Sequence, residues 1–306
     1  MAPVPAAAGR IMTQAPTVFV LGNAGVDLSL ALARLARPGE TVVASGGARA
    51  PGGKGLNQAV AAARAGGRVR FCAPVGEDAE ADFVAQTLAA EPLAGLRLLR
   101  RAEPTDISVV MVAADGENSI VSLCRCADTL DEAEATAFAG EAASADWLLM
   151  QGNLTAAATL AAMRAARGSV MLNAAPLRWP VAPMLPFCAV AVVNRGEAEA
   201  ITGLAAGDTA LRMRAQGCGA AVVTLGAEGC VWADADGLHR LPAAAVRPVD
   251  TTGAGDTFCG VLAARLASGQ ALSGALAAAQ RAAALSVTRF GAYAALPTAA
   301  ELRGLE

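Results

Sequence analysis

Val249-Asp-Thr-Thr-Gly-Ala-Gly-Asp-Thr-Phe-Cys-Gly260 accounts for more of this chain than any other dozen residues. Three small residues, Gly253, Ala254 and Gly255, precede an acid, Asp256, and then an apolar run from Phe258 to Leu266. A helix beginning near Gly253 would aim its free N–H groups and the positive end of its dipole at whatever lies above it. Small residues let an anion come close to those groups. A carboxylate beside an anion-binding helix end is repelled by that anion, so Asp256 needs a reason to be there. One reason is general-base work, in which Asp256 takes the proton of a hydroxyl attacking a phosphoryl group held by residues 253–255. The other is that Asp256 complements the dipole in the first helical turn.

Outward from this stretch, strands and helices alternate. Thr17–Leu21 (TVFVL) is a short apolar run closed by Gly22-Asn23, the pattern of a buried strand. The stretch Pro51–Asn57 opens an alanine-rich helix running to about Gly66. Strands are then expected at 69–74, near 96–99, at 106–114, 118–124, 146–150, 169–173, 189–193 and 220–225. Helices are expected at 79–90, 131–142, 155–166, 195–202, 208–216, 254–268 and 271–288, with a β-rich piece at 229–247. Such alternation builds a mostly parallel sheet covered on both faces. Two paired-strand segments, near 26–50 and 106–124, break the pattern and would form a separate small sheet. In open parallel sheets ligands sit beyond the carboxyl ends of the strands. The turns Asn23–Asp27, Gln151–Asn153, Asn173–Pro176, Asn194–Glu197 and Thr224–Gly229 therefore bear on one site together with residues 250–256.

Composition removes several function classes. With 306 residues and 55% of them hydrophobic, the chain has ample core to fold unaided. A net charge of −3 without a Lys/Arg block argues against a nucleic-acid partner or an anionic membrane surface. No apolar run reaches the roughly 18 residues needed to span a bilayer. The seven cysteines are odd in number and unpatterned, which favours a reducing cytoplasm. With a single histidine, His239, in a polar loop-like stretch, a zinc site or His-based catalysis lacks material. Cys124-x-Cys126 is expected in a strand with both thiols on one face. Residues 1–16 are rich in Ala and Pro and lack the apolar segment of a signal peptide, so a disordered tail is expected, with Met12 as an alternative start.

Other turns offer partners for Asp256. Gly52-Gly53-Lys54-Gly55 is not a nucleotide P-loop: Gly55 stands where Ser or Thr is required, and Ala48 holds the place of the first glycine. What remains is a glycine-rich lead-in to a helix with Asn57 one turn in. It is either a tight turn and helix start or a place where backbone and Asn57 bind a polyol. Asp27 is either a turn cap or a carboxylate accepting two hydrogen bonds from vicinal sugar hydroxyls. Asn194 and Glu197 have the spacing of a capping box; they could equally orient waters around a magnesium–phosphate assembly.

Taken together these residues resemble the ribokinase-like (PfkB) carbohydrate and nucleoside kinases from about Thr17 to Pro297. The stretches that carry the resemblance are Pro38–Thr41, Gly52–Ala62, Asn173–Pro176, Asn194–Glu199, Thr224–Gly229, Asp250–Phe258 and Val287–Ala292. The resemblance implies an α/β three-layer sandwich with a mostly parallel central sheet and a small β-sheet lid, forming one kinase domain over 17–306. It implies phosphorylation of a hydroxymethyl group with MgATP, with Asp256 as base and the N–H groups of Gly253, Ala254 and Gly255 as anion hole. Asp27, Gly53, Lys54, Asn57 and Asn153 would hold the sugar, and Asn194, Glu197, Thr224, Gly226, Gly229 and Gln280 the nucleotide and its magnesium. A potassium site would map to Asp250, Thr252, Ser286, Arg289 and Gly291, several through backbone carbonyls. A homodimer would form through the lid, where Val109, Met111 and Val121 are available. Gly25, Asn153 and Ala295 depart from the family's pattern at the sugar and cation sites. The acceptor therefore stays open between ribose, another sugar and a nucleoside, and a catalytically idle sensor on the same fold is the alternative from another class.

Overall fold

The computed structural model describes residues 15–114 and 118–305; the tail expected over 1–16 lies outside the described residues except for 15 and 16. β1 (Thr17–Leu21) shows how the main sheet is covered. All five of its residues are buried. Val18 and Val20 join one core, Phe19 and Leu21 the other, because successive side chains of a strand point to opposite faces. A strand buried on both faces reads as an unbroken apolar run, and this one does.

The sheet also contains β4 (Arg68–Gly76), β5 (Gly95–Arg101), β8 (Trp147–Gln151), β9 (Ser169–Asn173), β10 (Val190–Asn194), β11 (Ala220–Thr224), β12 (Cys230–Asp234) and β13 (Gly237–Leu241). Its order is β13-β12-β11-β10-β9-β8-β1-β4-β5. The pairs from β5 to β11 are parallel, and β12 and β13 are added antiparallel. One face packs α1 (Lys54–Arg64), α2 (Ala79–Leu88), α7 (Ala254–Ala267) and α8 (Leu272–Ser286). The other packs α3 (Glu132–Ala139), α4 (Ala156–Ala165), α5 (Arg195–Thr202) and α6 (Ala206–Ala215). This is the expected three-layer α/β arrangement.

The expected lid is present as a second sheet. It joins β2 (Gly25–Leu32), β3 (Gly46–Gly52), β6 (Asp106–Ala113) and β7 (Asn118–Leu123) in the order β3-β2-β6-β7. Its outer pairs are antiparallel and its central pair, β2 with β6, is parallel.

Five local expectations need correction. Asp27 lies inside β2, paired with Ala50 and Ser108, and not in a turn. Cys124 and Cys126 share no strand face: β7 ends at Leu123, because the Asp106 carboxylate accepts the Cys126 and Ala127 N–H groups (3.0 and 3.4 Å) and draws the chain into a short 3₁₀ turn. His239 sits in β13, its ring stacked on Trp232 at 4.8 Å and 3.0 Å from Asp234 Oδ1. The β-rich piece stops at Leu241. A short helix, α9 (Ala299–Arg303), closes the chain with a capping box between Thr298 and Glu301.

Candidate active site

α7 starts where the sequence places it. Gly253 is its N-cap at φ 77°, in the left-handed region that a side chain disfavours, and a Cβ there would lie 2.9 Å from Ala292 Cα. The first intrahelical bond runs from Thr257 N to Gly253 O (2.9 Å); the Ala254 N–H makes a long bond back to Thr251 O (3.3 Å), and the helix start leaves the N–H groups of Gly253 and Gly255 for a ligand. A Cβ added at Gly255 would meet no atom within 4 Å. Packing therefore does not explain the glycine; the space in front of it is open to a ligand. Asp256, in the first turn, is 5% exposed.

The carboxylate of Asp256 is held by α1. Gln58 Nε2 donates to Oδ1 at 2.9 Å, Asn57 Nδ2 reaches Oδ2 at 3.5 Å, and Lys54 Nζ lies 3.7 Å from Oδ1. α7 can come this close because Gly260 faces α1: a Cβ there would stand 2.5 Å from Gln58 O. Gln58, fully buried, also donates to Asn173 Oδ1 (3.0 Å) and accepts from Gln151 Nε2 (3.0 Å). The amide thus ties the first turn of α7 to the carboxyl ends of β8 and β9. Asn173 lies in a turn that the sequence already brings to the site, whereas Gln58 carries no role there; its signal was a consecutive Asn57-Gln58 pair inside an otherwise apolar helix. The Asp256 carboxylate is the leading cause that raises the Lys54 ammonium above its ordinary value.

The other sugar candidates come from three elements. Gly53 is the N-cap of α1 at φ 99°. Asp27 approaches from β2, its carboxylate atoms 2.3–2.5 Å from where a Cβ on Gly52 would be. Burial, then the nearby Asp256 charge, push Asp27 up to about 6, against the pull of the neighbouring Ser108 hydroxyl and the Lys54 ammonium. Asn153 follows β8; its carbonyl accepts Arg178 Nη1 (2.5 Å), while its Oδ1 is buried without a partner. Asn57 Oδ1 and Gln151 Oε1 are likewise buried and unpartnered. Buried acceptors left unpaired are costly, and a donor-rich ligand would satisfy them.

The nucleotide candidates lie farther along the same edge. Asn194 and Thr224 are register partners at the ends of β10 and β11. Asn194 and Glu197 form the full capping box, each backbone N–H bonded to the other's side chain at 2.8 Å. Gly226 opens and Gly229 closes a short 3₁₀ turn after β11. Gln280, on α8, accepts the Cys230 thiol at 3.6 Å and keeps a buried Nε2 without a partner. Of the cation candidates, Asp250 gathers two: Oδ1 accepts Thr252 N (2.9 Å) and Oγ1 (2.6 Å), and Oδ2 accepts Gly291 N (2.9 Å). Ser286 and Arg289 turn their side chains to other partners, and the carbonyl that meets this loop is that of Val287, which accepts Val249 N (2.7 Å) and Asp250 N (3.2 Å). The Ser286 hydroxyl donates to Ala283 O, and the Arg289 guanidinium is bound by Glu301. Ala295 is fully buried and offers no side-chain oxygen. Among the described residues no three His, Cys, Asp or Glu side chains are arranged to hold a metal directly, and no helix is long and apolar enough to cross a membrane.

Residues 15–299 match the family model described as pfkB family carbohydrate kinase. The chain is similar to a ribokinase of Haemophilus influenzae, 32% identical over 296 residues, covering 93% of this chain and 96% of that protein. Its fold superposes on a ribokinase of Thermotoga maritima with a TM-score of 0.87 at 27% identity, covering 95% of this chain and 99% of that one. An Arabidopsis thaliana ribokinase complexed with ribose and ATP superposes with a TM-score of 0.84 at 26% identity, covering 95% and 99%.

Proposed function

The chain belongs to the pfkB family of carbohydrate kinases, and from that membership we propose how its residues divide the phosphorylation of a small sugar. It is an ATP-dependent sugar kinase. Asp256 acts as general base, taking the proton of the acceptor hydroxymethyl group as its oxygen attacks the terminal phosphoryl group of ATP. The N–H groups of Gly253, Ala254 and Gly255 receive the charge that builds on that group. Asp27, Gly53, Lys54, Asn57 and Asn153 hold the acceptor, a pentose or related sugar. Asn194, Thr224, Gly226, Gly229 and Gln280 line the nucleotide.

Magnesium, when bound, would neutralise phosphate charge; the remaining oxygen of Glu197, Oε1, suits it through bridging water, the mode a Mg²⁺ ion commonly keeps. The oxygen-only set around Asp250 and Thr252 suits a potassium ion that would steady the loop leading into α7. Free thiols throughout fit a cytoplasmic protein.

A single observation carries the assignment of the base: one buried carboxylate, gripped by two amides, stands at a helix start whose front is open at Gly255. Asp256→Asn keeps the shape and removes the base. It is expected to lower kcat by about 10²–10⁴-fold or more while ATP still binds, as read by a coupled ADP assay and calorimetry. Near-normal turnover would remove Asp256 from that role.

A further inference from the structure

A second carboxylate faces the acceptor site from the lid. Asp106 opens β6 and is the register partner of Gly25, as Ser108 is of Asp27. Paired residues on adjacent strands share a face of the sheet, so Asp106 points to the side where Asp27 contributes to the site. The two strands press together here: a Cβ on Gly25 would lie 2.2 Å from Asp106 O and 3.0 Å from Asp106 Cβ. No side chain fits at position 25, and the space it would occupy is taken from β6.

The two oxygens of Asp106 have different surroundings. Oδ1 accepts the Cys126 and Ala127 N–H groups, which accounts for a structural role. Oδ2 has no hydrogen-bond partner although the residue is 4% exposed. The Asn23 amide lies nearby without closing a bond onto Oδ2, and Asn23 Oδ1 accepts Gly55 N (3.3 Å) at the start of α1. On the other side, Arg178 links the pair: its charge bears on Asp106, and it holds the Asn153 carbonyl. Asn153 Oδ1 is a second buried acceptor without a partner. Two orphan acceptors ask for a ligand with donors at this end. This end is built on residues 126–128, to which Asp106 is tied through the Cys126 and Ala127 N–H groups and Asn153 through Arg178, which also binds Asp128, whereas Asp256 is gripped by α1.

We propose that Asp106 determines acceptor specificity, its Oδ2 taking a hydrogen bond from the hydroxyl at the end of the sugar opposite the phosphorylated hydroxymethyl group. In a furanose that group is the anomeric hydroxyl. A nucleoside carries its base on that carbon and has no donor there, so the acceptor is a free sugar. This rests on the sugar-kinase assignment above.

Asp106→Asn separates the two oxygens, because the Cys126 and Ala127 N–H groups keep an acceptor while Oδ2 becomes a donor. Kinetics are measured with D-ribose, D-fructose and adenosine, and with the anhydro-alditol lacking the anomeric hydroxyl of whichever sugar is turned over faster. The wild type is expected to prefer the free sugar over its anhydro analogue by roughly 10- to 100-fold in kcat/KM. Asp106→Asn is expected to raise the sugar KM by a similar factor, leave the ATP KM unchanged and erase the preference. An unchanged sugar KM, or equal losses on sugar and analogue, overturns the inference. So does absence of discrimination in the wild type, which decides the matter even if the variant fails to fold. Preference for adenosine overturns it while leaving the kinase intact; no turnover of any acceptor overturns both.

Discussion

At Asp27 a side chain proposed to hold the sugar works against the fold. Its carboxyl is pushed up to about 6 by burial and by the neighbouring Asp256 charge. The folded state therefore binds this proton more tightly than the unfolded chain, whose ordinary value is 3.8. The sign follows: the ionised group opposes folding above about pH 6, and that opposition fades as pH falls from about 6 toward 4. Asp27→Asn removes the charge at nearly unchanged volume. It is expected to melt roughly 2–4 °C above the wild type at pH 7.5, with the gap closing toward pH 5, while sugar affinity is lost. A gap that widens on acidification would contradict this placement of Asp27. At this scale the sequence exposed the residues with unusual local company: Asp256 after Gly-Ala-Gly, and Lys54 and Asn57 after paired glycines. It hid Gln58 and Asp106. An amide in a helix and an acid before an apolar strand look solvated until the long-range partners are known, Asp256 for one and Gly25 for the other.

Among elements, the contact between α1 and α7 matters most, because it fixes the distance from Gln58 to Asp256. It depends on Gly260, where a Cβ would intrude to 2.5 Å on Gln58 O. Gly260→Ala is expected to cost about 1–3 kcal/mol by overpacking. It would push the helices apart and lower kcat by about tenfold or more, since small displacements at a reacting centre are expensive. Thermal melting and steady-state kinetics check both; a variant matching the wild type would show that α7 is not held by this contact. Most elements were legible because apolar periodicity and Gly punctuation agree, as at β1 and α5. The failures share a cause. The turn at Cys126 is imposed by a carboxylate on another strand, and α9 is only five residues long, held by its capping box and by Leu302 in the core.

For the whole molecule, the lid stands apart from the main sheet and ends in an edge strand, β7, whose Ile120, Val121 and Leu123 are exposed at 52%, 63% and 44%. An open edge carrying apolar side chains invites pairing, and a homodimer through this lid is the proposed assembly. Val121→Asp is expected to shift the mass in light scattering from twice the 30.5 kDa chain to the single chain; a wild type already monomeric would remove the dimer. That two sheets exist was readable from paired strands interrupting the β–α alternation. Strand order was not, because alternation does not say that β8 lies beside β1.

The parallel pairing of β2 with β6 has a kinetic consequence. Its halves are separated in the chain by β3, α1, β4, α2 and β5, so it cannot form as a local hairpin. Closing so long a loop is entropically expensive before any contact rewards it, and such pairings form slowly. The lid is therefore expected to be completed late in folding, after β1 and β4 have met. The grip of Gln58 on Asp256 likewise joins residues 198 apart, so the proposed base and the proposed sugar pocket are both finished late.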